Sequence, residues 1–263
     1  MTPQDRIAHM TLGLVEARQQ NRLFAPDATL QDLSPEEAYA VQAGVARALG
    51  WFADRPRAWK AGGAPVVSGA PLPQVLHSPA VWSPVSTTAT DATDAAQTWI
   101  VEAELAFTLA RAPQGPDLAA DVAQALGTVA VSIETIDTRL ASGLAGAPSA
   151  WKLADQGVHG TLVLGDAQAA AQFVARSPAD WATQAWSITV NGELAQRAQG
   201  GLPAIDPLTA VRWLAVHAAA HTGGLQAGDV VTTGAWGLVR ARRGDVVEVR
   251  FDGVGAAQVT LGH

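Results

Sequence analysis

The sequence predicts an α+β fold in which a small helical N-terminal part leads into a larger, sheet-rich part, and three stretches carry that prediction. Near the start, Ser34 and Pro35 with Glu37 form a capping box with proline at the first helical position, opening a helix that Gly50 ends. In the middle, Glu102 and Glu104 sit two apart among Ile100, Val101, Leu105 and Phe107, the period of a strand. At the end, the run from Ala227 is broken by Gly-Asp and Asp-Gly turns, which reads as short antiparallel strands.

Taken in order, residues 4–22 predict an amphipathic helix with Ile7, Met10, Leu12, Leu14, Val15 and Leu23 near one face. The capped helix comes next. Lys60 then lies between a strand-like segment and a glycine pair, read either as a solvated loop lysine or as a cation facing an anionic substrate. Residues 64–98 are rich in Pro, Ser, Thr and Ala and read as a long irregular connection of the kind that forms lids or binding loops. Beyond the Glu102 strand come a short helix at 118–126 and a strand at 128–136 carrying Glu134. Residues 141–149 read as a mobile flap or a plain surface loop, and residues 151–165 join a polar loop to a strand. Asn191-Gly192 turns a hairpin, and a helix at 207–220 is capped by Asp206.

Composition excludes several classes of function. The net charge is −7 with no Lys/Arg-rich run, which argues against nucleic acid or an anionic membrane as partner, because phosphate binding relies on clustered cations. Cysteine is absent, so disulfides, thiolate zinc sites and cysteine nucleophiles are excluded. Charged residues are only 16% against 48% hydrophobic, which predicts apolar surface covered in a homo-oligomer. The N-terminus lacks a cationic segment followed by a long apolar one, so a cytoplasmic protein is expected.

The strand period aims Glu102 and Glu104 at one face, and two like charges there repel unless a cation lies between them. With Glu134 they suit a hard divalent ion such as magnesium or manganese. Spacing alone leaves a second reading open, a set of exposed strand carboxylates.

The order of motifs is more specific: Lys60, E-x-E at Glu102 and Glu104, I-E-x-x-D-x-R from Ile133 to Arg139, A-D-x-x-x-x-G-x-x-x-L-G from Ala154 to Gly165, then A-G-D-V-V-T-T-G and R-G-D. Together they resemble the hydratase/decarboxylase branch of the fumarylacetoacetate hydrolase superfamily, enzymes of 2-hydroxypenta-2,4-dienoate and 4-oxalocrotonate in aromatic degradation. The resemblance implies an N-terminal α/β subdomain, placed at residues 1–75, and a C-terminal mixed β-sandwich roll that binds metal, placed at 76–263. It also implies Glu102, Glu104 and Glu134 as magnesium or manganese ligands and Lys60 as the active-site lysine. Asp155 falls on the aspartate of the family's A-D-N-A-S segment.

This sequence departs from the family where substrate is expected to bind. No acid occurs between Lys60 and Asp91, and Leu72 is the expected stand-in for the hydratase aspartate. Gln156, Val158 and Ala235 replace family asparagine and serines, and Val158 and His159 are expected beside the substrate with Leu72 and Asp155. The implied reaction stabilises an enolate of a 2-oxo acid on the metal, with Lys60 binding a carboxylate or moving a proton at a lowered pKa. Hydration needs a group to position water, whereas loss of a carboxylate does not, so the missing acid favours decarboxylation of a 2-oxo-enedioate over hydration of a dienoate. Two alternatives remain: an acylpyruvate C–C hydrolase using His9 and Glu16, and an inactive metal-binding homologue.

Overall fold

The computed structural model describes residues 1–63, 67–83, 98–202 and 205–262. Helix α1 (Pro3–Gln19) begins at Thr2, whose hydroxyl accepts from the Asp5 amide while the Asp5 carboxylate accepts from the Thr2 amide. Helix α2 (Pro35–Ala48) begins with the reciprocal Ser34–Glu37 box read in the sequence. Each helix buries one stripe, Met10, Leu14 and Val15 from α1 and Ala38, Val41 and Val45 from α2, whereas Leu12 and Leu23, expected on the same face, are exposed because Leu12 points away from that stripe and Leu23 lies beyond the end of α1. The same apolar cluster takes in Leu140, Trp151 and Ala154 from far along the chain. Trp151 is fastened there by donating its indole N–H to the Leu30 carbonyl at 2.7 Å. The remaining helices are α3 (Leu118–Ala125), α4 (Gly143–Gly146), α5 (Ser149–Ala154), α6 (Ala171–Val174), α7 (Pro178–Ala182) and α8 (Leu208–His221). The N-cap of α8 is Pro207 and not the expected Asp206, whose carboxylate lies one residue earlier and accepts from the Leu208 amide at 2.9 Å.

The strands are β1 (Ala58–Gly62), β2 (Ser68–Pro71), β3 (Val75–His77), β4 (Ala80–Trp82), β5 (Thr98–Leu109), β6 (Leu126–Ile136) and β7 (His159–Leu164). They continue as β8 (Gln168–Ala169), β9 (Ala185–Val190), β10 (Glu193–Gln199), β11 (Val230–Thr232), β12 (Gly237–Arg242), β13 (Val246–Phe251) and β14 (Gly255–Leu261). One sheet runs β2-β1-β11-β5-β6-β7-β3, with β12 also on β5 and β8 on β6; a second runs β10-β9-β13-β14-β4. The expected Asn191-Gly192 hairpin joins β9 to β10.

Two expectations are corrected. Residues 64–98 are not one irregular connection, because β2, β3 and β4 lie within them; residues 64–66 and 84–97 fall outside the described ones. Nor are the C-terminal strands purely antiparallel, since β11 runs parallel to β1 and β14 parallel to β4. Both partners lie far away in sequence, where turn signals carry no information. The sheet also spans the expected boundary at residue 75, because β1 and β2 are bonded into it through β11.

Strand period divides β5 and β6 into two faces. Val101, Ala103, Leu105 and Phe107 of β5, with Val129, Val131 and Ile133 of β6, join one core with Ile188, Val247, Val249 and Val259 of the second sheet. The residues between them carry the charge. Glu102 lies directly opposite Glu134 in the antiparallel register, and Glu104 opposite Ser132.

Candidate active site

Glu102, Glu104 and Glu134 converge, each offering one carboxylate oxygen within 4.8 Å of the others. Glu104 and Glu134 are fully buried. Each uses one oxygen within the protein and leaves the other unused. For Glu104, Oε2 accepts from the Thr232 hydroxyl in a short hydrogen bond and from the Gly234 amide at 3.3 Å. For Glu134, Oε1 accepts from Lys60 Nζ at 2.8 Å and pairs with His159 Nδ1 at 2.9 Å. The remaining atoms, Glu104 Oε1 and Glu134 Oε2, are buried without a hydrogen-bond partner among the described residues. Buried carboxylate oxygens left unsatisfied are costly. Hard anionic oxygens brought together on two rigid strands fit a divalent cation of the magnesium or manganese kind.

The chain makes room for this at a break in its own sheet. On the free edge of β5, β11 pairs with Ala106 to Thr108 and β12 with Thr98 to Ala103. Glu104 falls in the gap. The connecting segment crosses there, its Thr233 amide donating to Leu105 O and its Trp236 amide to Ala103 O, and so brings Gly234 to the carboxylate.

Charge balance points the same way. Burial, only partly offset by Lys60, pushes Glu102 up to about 7, and burial together with the two neighbouring glutamates pushes Glu104 well above the usual carboxylate range. Glu134 is held below that range because Lys60 and the His159 hydrogen bond outweigh its burial. One lysine is too little positive charge to keep all three carboxylates ionised, and a divalent cation would supply the remainder. For Lys60, burial pulls the pKa down, but Glu134, Glu102 and Glu104 together outweigh it and raise it.

Lys60, Glu102 and Glu104 line one cavity of about 380 Å³. Lys60 and Ala70 are cross-strand partners on β1 and β2, which places Ala70 in the wall. Leu72 does not line this cavity. The chain has left β2 by then, and Leu72 is buried among Ala58, Ala106, Leu162 and Leu164. Val158 and Ala235 do line it. Sequence reasoning missed Ser68, Ser149, Lys152 and Thr233, which also line it. Two of them carried a signal, Lys152 as a lysine beside Trp151 in a segment read as a loop and Thr233 as the second threonine of A-G-D-V-V-T-T-G. The pair proposed for hydrolysis lies elsewhere: Glu16 pairs with Arg22 at 2.7 Å on the exposed side of α1, and His9 sits 3.8 Å from Asp27.

Asp155 and His159 are corrected from substrate contacts to supports behind the wall. Asp155 is fully buried, accepting from Arg18 at 2.6 Å and from the Thr138 hydroxyl and the Arg139 amide at 2.7 Å each. Directly after it, Gln156, Gly157 and Val158 all have positive φ, at 55°, 62° and 59°, a left-handed turn that costs roughly 1–2 kcal/mol for each non-glycine residue. That turn presents the Gly157 carbonyl to Lys60 Nζ at 3.0 Å. His159 comes next, buried, with burial holding its pKa down.

The fold and this site define a class. Residues 45–261 match the fumarylacetoacetate (FAA) hydrolase C-terminal family model, and the chain belongs to that family. Among curated proteins it is 32% identical over 163 residues to 2-keto-4-pentenoate hydratase 1 of Dechloromonas aromatica (strain RCB), a match covering 59% of this chain and 57% of that protein. Among solved structures it resembles 4-oxalocrotonate decarboxylase from Pseudomonas putida G7 complexed with calcium and acetate, at TM-score 0.77 and 19% identity, over 99% of this chain and 98% of that one. The complex of that decarboxylase with magnesium and adipate gives 0.76 at 19% identity over the same shares. A 2-hydroxyhepta-2,4-diene-1,7-dioate isomerase from Mycobacterium marinum gives 0.52 at 16% identity, over 79% of this chain and 75% of that one. The mixed α+β architecture expected from the motifs is the architecture found.

Proposed function

We propose that this chain is a divalent-metal-dependent lyase of enolisable 2-oxo acids, and that its reaction is decarboxylation of a 2-oxo-enedioate. The observation that carries the reading is the pair of unpartnered buried oxygens on Glu104 and Glu134, in one cluster with Glu102 and beside the Lys60 ammonium. Magnesium bound there would polarise the 2-oxo group of the substrate as a Lewis acid. The similarity to a decarboxylase complexed with magnesium and a six-carbon diacid supports both metal and substrate class.

The residues of the chain account for the rest. Glu102, Glu104 and Glu134 would hold the cation, each through a carboxylate oxygen. Lys60, whose Nζ lies 2.8 Å from Glu134 Oε1, would set its amino group beside the substrate carboxylate or the 2-oxo oxygen. Loss of carbon dioxide breaks the bond to the distal carboxylate and returns its electron pair through the conjugated chain to the 2-oxo oxygen. Val67, Ala70, Val158, Leu202 and Ala235 give the cavity an apolar wall that strips water from the departing group. With 4-oxalocrotonate and magnesium, the protein should release carbon dioxide. Water addition to 2-hydroxypenta-2,4-dienoate with no carbon dioxide from the diacid would replace this reading by the hydratase one, which the similarity to 2-keto-4-pentenoate hydratase 1 favours.

The partner in this reading is a small-molecule substrate, and the chain works as a homo-oligomer. Support for the latter comes from large apolar side chains left exposed, Leu12, Val81, Leu194, Val216 and Leu238. No helix of the described residues is long and apolar enough to cross a membrane.

A further inference from the structure

His159 is the first residue of β7, immediately after the left-handed turn, and its ring is almost wholly enclosed. Nδ1 meets Glu134 Oε1 at 2.9 Å, while Nε2 has no hydrogen-bond partner among the described residues. A carboxylate oxygen can only accept, so the proton of a neutral ring must sit on Nδ1 and point at Glu134. Lys60 donates to the same oxygen at 2.8 Å. Two donors on Oε1, none on Oε2 and full burial restrict the Glu134 carboxylate to one orientation, which leaves Oε2 unpartnered in a residue that clusters with Glu102 and Glu104.

Both donors depend on the same stretch of backbone. Gly157 O receives Lys60 Nζ at 3.0 Å, and two residues later the chain delivers His159. The turn between is held at each end. Asp155 O accepts from the Val158 amide at 2.8 Å, Val158 O accepts from the Asp137 amide at 3.0 Å, and the Gln156 side-chain amide donates to Gln42 O at 3.3 Å. A β-branched residue is kept at positive φ to do this.

We propose that His159, carried by the left-handed turn at residues 156–158, is a positioning residue that fixes Glu134 as a one-oxygen ligand for the divalent cation. The inference rests on the proposed metal site and extends it to a residue that touches neither metal nor substrate. Partners that orient a ligand in this way typically govern metal affinity by about 10- to 100-fold.

Three substitutions test it, with Mn2+ affinity by calorimetry and the Mn2+ spin-resonance spectrum as readouts independent of turnover, and circular dichroism to compare folds. His159→Asn keeps an N–H donor near the place of Nδ1. His159→Gln keeps an equally polar amide but moves the donor one methylene further out, and His159→Leu removes it. The Asn variant should bind Mn2+ within about threefold of the parent, while Gln and Leu should weaken binding about tenfold or more and alter the spectrum. If Leu does not fold, the Asn–Gln contrast decides. Parent-like affinity in all variants that fold, or equal loss in Asn and Gln, overturns the proposal. A parent protein that binds no Mn2+ at all removes the metal reading itself and this inference with it, which separates the two failures.

Discussion

The two sides of the site are built by opposite means. On the sheet side, Glu102, Glu104 and Glu134 occupy ordinary strand positions, and the pleat and register of β5 and β6 bring them together without backbone strain. On the turn side, Gly157 O and His159 reach Lys60 and Glu134 only through three successive left-handed residues, held by a fully buried Asp155. Regular geometry sets which groups meet. The strained turn sets how they are oriented, and it needs a buried ionic support to persist.

The largest effect should come from removing the group both sides share. Lys60→Met should lower turnover of 4-oxalocrotonate by about a thousandfold, while Mn2+ affinity changes by less than about tenfold. Equal loss of both would make the lysine a structural member of the metal site. On the turn side, Asp155→Ala leaves Arg18 unpaired and the Thr138 and Arg139 donors unmet, so urea unfolding should show a loss of about 3–5 kcal/mol. A loss under about 1 kcal/mol would mean that the turn stands without its support.

On the sheet side the signature should be reversed. Glu104→Gln should cut Mn2+ affinity by about a hundredfold yet leave unfolding free energy unchanged or improved, because burial and the two neighbouring glutamates already disfavour a charge at that position. A smaller expected change is Gly157→Ala, with φ at 62° and the nearest atoms a Lys60 side-chain carbon at 3.4 Å and the Ala70 Cβ at 3.6 Å. Space is adequate there, so the cost should be backbone strain of about 1 kcal/mol, readable by thermal melting.

The smallest effect serves as a control away from both sides. His217 stacks on Trp213 and packs tilted against Tyr39, and burial, with a smaller contribution from His221, lowers its pKa to about 4. The unfolded chain takes up this proton near the usual histidine value of about 6.5, so stability should fall as pH drops from there towards 4. His217→Gln should remove that slope without touching Mn2+ affinity at pH 7.

Short-range periodicity makes part of this molecule legible in its amino acids alone. Ser34, Pro35 and Glu37 name their helix because a capping box is closed within four residues, and Asn191-Gly192 names its hairpin for the same reason. Glu102 and Glu104 share a face because a strand repeats every two residues, and the motif order ties Glu134 and Lys60 to them. The rest depends on contacts between distant segments. Ala70, not Leu72, faces the cavity because β2 ends at Pro71, an event no local signal marks. Asp155 and His159 look like loop residues until Arg18 comes from 137 positions away and Glu134 from 25, turning two polar side chains into buried supports. Lys152 reaches the cavity because Trp151 docks its helix against α2, and the parallel pairing of β11 with β1 joins Ala58 to Val230 across most of the chain. Local hydrogen bonds and side-chain period are written in adjacent residues, whereas register across a sheet and the partners of a buried charge are settled only when the chain closes on itself.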